Sequence, residues 1–238
     1  MTFKENLSPV INPLILGTAN LFISISLILQ NVKTSKEIGE KVDGPLLISA
    51  ILYFLSFLLR IIMTYQNNND GINCGIFQMS SLVNIMAYTL VIGFKISNLN
   101  KSSIDLKRLK KEEEIDPENF NNTEVVSDVS VGSASMMIIA YFLYILFCSF
   151  QIYIFHSNNI ISINKINYTL TLFILIICLF VFPLLIAQRA KKNKLFTVKS
   201  SIGIDTINIV MFILLIILLS RIQNTITKCE NGMGMKFN

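Results

Sequence analysis

The sequence predicts an all-α, polytopic membrane bundle of six transmembrane helices, divisible into two three-helix halves. Three observations carry this expectation. Of 238 residues, 53% are apolar and only 15% charged, whereas a soluble domain is nearer a quarter charged. Six apolar stretches are each long enough to cross a hydrocarbon core as a helix, which takes about 20 residues. Runs such as Phe173-Ile174-Leu175-Ile176-Ile177-Cys178-Leu179-Phe180 do not alternate polar with apolar residues, as the strands of a membrane barrel must.

The first span is read at Val10–Gln30, the second at Pro45–Tyr65 and the third at Ile76–Ile96. The fourth runs Met136–Phe155, the fifth Ile166–Gln188 and the sixth Ile202–Ile222. The only charged residues before the first apolar run are Lys4 and Glu5, and the run is long enough to span. It therefore reads as a retained helix and not as a cleaved signal. A polar tail follows at 223–238. Between the third and fourth spans lies a polar insert, 97–135. Its segment Asp105–Glu114 carries both charge signs at helical spacing, which predicts a short solvated helix. Asp116-Pro117 should stop it, and the remainder reads as a cytosolic linker.

Basic residues orient the bundle. Of twenty Lys and Arg residues, six (Lys4, Arg60, Lys165, Arg221, Lys228, Lys236) fall on one side and the other fourteen on the side of loops 31–44, 97–135 and 189–201. The basic side is expected to be cytosolic, with both termini extracellular or lumenal. The net charge of +5 follows from this asymmetry. The expected partner is the lipid bilayer, and no aromatic-basic pattern for nucleic acid is present.

The two halves align weakly. A shift of 121 positions carries Gln30 onto Gln151 and the second span onto the fifth. A shift of 124 then carries Ser81-Leu82-Val83-Asn84-Ile85 onto Asp205-Thr206-Ile207-Asn208-Ile209. Building a protein from two such halves is common in transporters, with the solute site between them. The insert is too polar to span, so adjoining triplets would run in opposite directions.

The stretch Gly17–Thr34, ending its apolar run at Leu29-Gln30 and followed by Asn31-Val32-Lys33-Thr34, resembles the first helix and loop of the PQ-loop/SWEET transporter superfamily. The resemblance covers mainly residues 17–96, with Phe150-Gln151-Ile152-Tyr153 as the second copy. It implies a small-solute transporter in which Asn84 and Asn208 contact the solute, and Gln30 and Gln151 sit at helix ends that flex.

Polar groups within spans are costly unless they face the bundle interior. Asn20, Asn84 and Asn208 are candidate ligands for a small polar solute at the bundle centre, or else interhelical hydrogen-bonding residues. Lys95 and Asp205 lie at similar depth and read as an ion pair, with Asp205 as a proton-coupling carboxylate the alternative. Arg60, about a turn from the outer end of its span, reads as a side chain snorkelling to the interface, with an anion contact or gate the sharper alternative. Pro183 can kink the fifth span. Cys74 and Cys229 fall on the outer side near span ends and are candidates for a disulfide if that side is oxidising. No metal-ligand spacing, nucleophile elbow or phosphate loop stands in the chain, so neither catalysis nor a cofactor is expected. The function read from this set is a small-solute permease. The alternative is a non-catalytic scaffold acting through the 97–135 loop.

Overall fold

Each predicted span is a helix, and every helix outruns its span. The computed structural model describes residues 3–37, 43–70, 74–115, 131–157, 165–190 and 194–226. Six helices occupy them: α1 (Phe3–Glu37), α2 (Gly44–Asp70), α3 (Cys74–Ile115), α4 (Val131–Ser157), α5 (Lys165–Ala190) and α6 (Lys194–Ile226). All six are long and apolar enough to cross a membrane. Among the described residues there is no strand, and the chain is a multi-pass membrane protein built as an all-α bundle.

Two local expectations change. Asp105–Glu114 is not a separate helix but the end of α3, which runs unbroken from Cys74 to Ile115. Residues 97–115 contain neither Gly nor Pro, and Arg108 Nε pairs with Glu112 Oε1 one turn on, at 2.9 Å, so helix continues into water. Gln30 and Gln151 do not end their helices, since α1 continues to Glu37 and α4 to Ser157. At Gln30 the end of the apolar run marks the edge of the hydrocarbon, not the end of hydrogen bonding along the backbone; Gln151 lies within the apolar run, which continues to Phe155. Pro183 is exposed within α5, the helix it is expected to kink. The Cys74 side chain and all of Cys229 lie outside the described residues, as do 116–130 and 227–238 of the insert and tail.

The helices close into a ring. Around it the order is α1, α2, α3, α6, α5, α4 and back to α1. Each half is a row of three consecutive helices, and the rows meet along α1/α4 and α3/α6. Both meetings are antiparallel. On α1/α4, Ser26 meets Ser133 while Asn20 meets Tyr144 further along. On α3/α6, Tyr88 stacks on Phe212 and Lys95 reaches Asp205.

Small residues let the backbones approach. Ala19, Ala50, Ala87 and Ala140 are fully buried, as expected where lipid supplies no hydrophobic drive between helices and close packing must. The Ser24 hydroxyl donates to the Ala50 carbonyl (2.7 Å) and the Ser26 hydroxyl to the Ser133 carbonyl (2.9 Å). Gly132 lies so close to Leu29 that an added Cβ would meet it at 3.1 Å. The outer surface is the reverse. Ile51, Phe54, Leu82, Met86, Phe173, Leu179 and Phe180 are among the large apolar side chains left exposed, a surface that suits acyl chains.

A polar clamp joins α1 to α2. Asn31 donates from Nδ2 to the Asp43 carbonyl and accepts the Asp43 amide at Oδ1, both at 3.1 Å. The Asp43 carboxylate accepts the Leu46 amide at 3.1 Å, so Asp43 caps the start of α2. Asp43→Ala is expected to destabilise the protein by about 1 kcal/mol, as loss of an N-cap does. Asp43→Asn should retain most of that stability. Thermal unfolding of the detergent-solubilised variants measures both.

Candidate functional site

The ring interior is polar where the exterior is not. Fully buried inside it are Asn20 on α1, Ser56 on α2, Asn84 on α3, Tyr144 on α4 and Asn208 on α6, with Tyr53, Tyr88 and Tyr141. All three asparagines picked out in the sequence therefore point inward, because only there can an amide find partners away from water.

Asn20 is the hub of one cluster. Its Nδ2 donates to Asn84 Oδ1 at 2.9 Å and to Ser56 Oγ at 3.2 Å, and its Oδ1 accepts from the Tyr144 hydroxyl at 3.2 Å. The Tyr144 proton is thereby used. The Tyr88 hydroxyl, 3.2 Å from that of Tyr144, is then the donor between them, since a phenol has a single proton. A continuous chain runs Tyr88 to Tyr144 to Asn20 to Asn84 and Ser56. It ties α1, α2, α3 and α4 together, and its bonds strengthen one another at low dielectric.

Asn208 anchors a second cluster, in which the Tyr141 hydroxyl donates to Asn208 Oδ1 across the interior from α4 to α6. Between the clusters Tyr88 stacks on Phe212, ring centroids 5.4 Å apart, and Tyr53 tilts against Tyr88 at 5.7 Å.

The asparagines are not equivalent. Asn20 spends both amide hydrogens and its carbonyl within the protein. Asn84 and Asn208 each use Oδ1, while their Nδ2 groups are buried with no hydrogen-bond partner among the described residues. The hydroxyls of Tyr53, Ser80 and Ser81 share that condition. Leaving a buried donor unmade costs about 1–3 kcal/mol, so these groups are positions where a guest would gain most.

Arg60 does not snorkel. It is 4% exposed, packed where α1 thins to Gly17; a Cβ there would lie 3.2 Å from Arg60 Cβ and 3.3 Å from its Cδ. Its charge lies within electrostatic range of Tyr88 and Tyr144. An apolar neighbourhood in sequence hid this, because the glycine that admits the stem sits on a different helix. Lys95 and Asp205 do form an ion pair, Nζ to Oδ1 2.6 Å, with side chains 13% and 7% exposed. Gln30, Gln151 and Pro183 take no part in either cluster. The tyrosines, which sequence reasoning passed over, carry half of the network. Their only signal was recurrence at helical spacing, as in Tyr141 and Tyr144.

Comparison with known proteins returns no matching family model, no matching curated protein and no matching solved structure.

Asn20→Ala strands partners on three helices and is expected to cost about 1–3 kcal/mol. Tyr144→Phe should cost less. Combined, the two should fall short of additive, because they remove one shared bond. A double-mutant cycle by thermal unfolding in detergent measures the coupling.

Proposed function

We infer that this multi-pass protein is a non-catalytic permease for a small polar solute, which binds at the centre of the six-helix ring. One observation carries the reading: the amide Nδ2 groups of Asn84 and Asn208 are fully buried, face the interior and have no partner among the described residues. A purely structural amide in a membrane bundle normally finds a partner on a neighbouring helix, as Asn20 does. Donors held open in the interior match a solute rich in acceptors, and the buried Arg60 adds positive charge to the same region. The solute class is thus small and acceptor-rich, with carboxylates foremost. The face bearing Lys95 and the loop 189–201 is assigned to the cytosol on the distribution of basic residues.

The reading is tested by thermal stabilisation of purified protein against single solutes: acetate, succinate, phosphate, glucose and a primary amine. A ligand that binds only the folded state raises its stability in proportion to the logarithm of its excess over Kd. An acceptor-bearing solute should stabilise the protein, and Asn84→Ala or Asn208→Ala should weaken that binding about tenfold or more, the worth of one good hydrogen bond. Absence of stabilisation by any of them, or binding unchanged in both variants, would leave the scaffold reading through 97–135.

A further inference from the structure

The two clusters are related by position. Asn84 and Asn208 are 124 positions apart, and Asn20 and Tyr141 are 121 apart, the same shifts that align the halves. Asn20 hydrogen-bonds Asn84 across its half, and Tyr141 hydrogen-bonds Asn208 across the other. The interhelical bond recurs although its donor has changed from an amide to a phenol. Burial follows the same correspondence. Asn20, Ile23 and Leu27 map onto Tyr141, Tyr144 and Cys148; Ser81, Ala87, Tyr88 and Val91 map onto Asp205, Met211, Phe212 and Leu215; all are buried. Burial alone would tolerate a slip of one helical turn. The paired hydrogen bonds do not.

The symmetry element can be located. Tyr88 and Phe212 are mates under the 124 shift and stack directly on each other. Lys95, seven positions beyond Tyr88, pairs with Asp205, seven positions before Phe212. Two antiparallel helices related in this way share a two-fold axis that passes between Tyr88 and Phe212, perpendicular to the helices and so in the membrane plane. Asn84 lies four residues before Tyr88 and Asn208 four before Phe212, on opposite sides of that axis, about 6 Å of helix rise from it each.

The copies differ at one telling place. The symmetry mates of Lys95 and Asp205 are Leu219 and Ser81. An ion pair therefore ties α3 to α6 on one face of the ring only, about 10 Å of helix rise from the axis. At the mate position on the other face stand an aliphatic side chain and a buried hydroxyl without a partner among the described residues.

We propose that the protein is an inverted repeat with two equivalent solute half-sites, Asn20–Asn84 and Tyr141–Asn208, separated by the Tyr88–Phe212 stack, and that Lys95–Asp205 is the latch that closes the face next to Asn208. The proposal rests on the permease reading and deepens it: inverted halves can exchange conformations, so that each half-site opens to its own side in turn. The latch biases the exchange toward closure on the Lys95 face. Its interaction energy belongs to that state alone, which is what a ligand or contact needs in order to shift a conformational equilibrium.

The test uses the full chain in sealed vesicles of known sidedness, with Cys74→Ser, Cys148→Ala, Cys178→Ala and Cys229→Ser as background. Asn84→Cys or Asn208→Cys is added, and the probe is a charged, membrane-impermeant methanethiosulfonate. Lys95→Gln with Asp205→Asn should raise the labelling rate at position 208 from the Lys95 face about tenfold and lower that at position 84 from the opposite face, as a population shift requires. Adding Ser81→Asp with Leu219→Lys installs the pair at its symmetry mate and should slow position 84 further while leaving position 208 fast. Labelling at position 208 that does not change, or that rises equally at both positions, overturns the proposal. Should the neutral pair fail to fold, the exchanged pair Lys95→Asp, Asp205→Lys must leave both rates at parental values; a faster rate at position 208 overturns it likewise. The reagent reports opening without any solute. Reciprocal labelling in a protein that binds none of the solutes above would thus retain the repeat and discard transport.

Discussion

Asn20 holds this structure together. Its amide serves Ser56, Asn84 and Tyr144 at once, and so joins four helices that share no apolar driving force for association within lipid. α1 can take this role because it lies between α2 and α4 in the ring and faces α3 across the interior. Take the amide away and the ring loses three hydrogen bonds at one point, one of them, to Tyr144, between the two rows of helices. What would remain is close packing at Ala19, Ala50 and Ala140, the serine bonds to backbone carbonyls, and the bonds that do not pass through Asn20: Tyr88–Tyr144, Tyr141–Asn208, the Tyr88–Phe212 stack and the Lys95–Asp205 pair.

The same constraint explains the distribution of side chains. Lipid accepts Ile, Leu and Phe on the outside without cost, so large apolar residues are spent there. The interior collects hydroxyls, amides and the Arg60 guanidinium, and several of these lower their cost by meeting one another. Arg60 shows how closely this is arranged: its stem lies against Gly17, where an added Cβ would meet Arg60 Cβ at 3.2 Å. A bundle designed only to pack would have no use for a buried Arg, or for two asparagine amides with no acceptor among the described residues. Those groups are the physical core of the transport reading.

Much of the fold was legible in the sequence. Span length alone predicts six helices, and the polarity of the insert predicts opposed triplets. Asn84 and Asn208 were visible as an aligned pair. Asn20 is picked out as well, but its bond to Asn84 is not, and Tyr141 is passed over. Asn20 aligns with Tyr141, and amide-to-phenol is invisible to a comparison of residue identities, although both side chains donate to an asparagine carbonyl oxygen. Arg60 was misplaced because hydropathy reports depth along a helix but not direction around it, and its room is made by a glycine on a neighbouring helix. Gln30 and Gln151 are placed at helix ends by the family resemblance alone, and α1 and α4 run on past both. The Lys95–Asp205 pair was readable because opposite charges at matching depth on two spans have few other ways to be buried.

The ring, its in-plane axis and the latch all require that two rows of three helices run in opposite senses. Sidedness measures this most directly. A tag inserted within Lys107–Glu114 and a second tag at the C-terminus, each probed by a protease and an antibody in sealed vesicles, report which face each segment occupies. Three spans separate them, so the account predicts opposite faces. Both tags on one face would mean an even number of crossings, and the antiparallel ring and its in-plane axis would both be wrong.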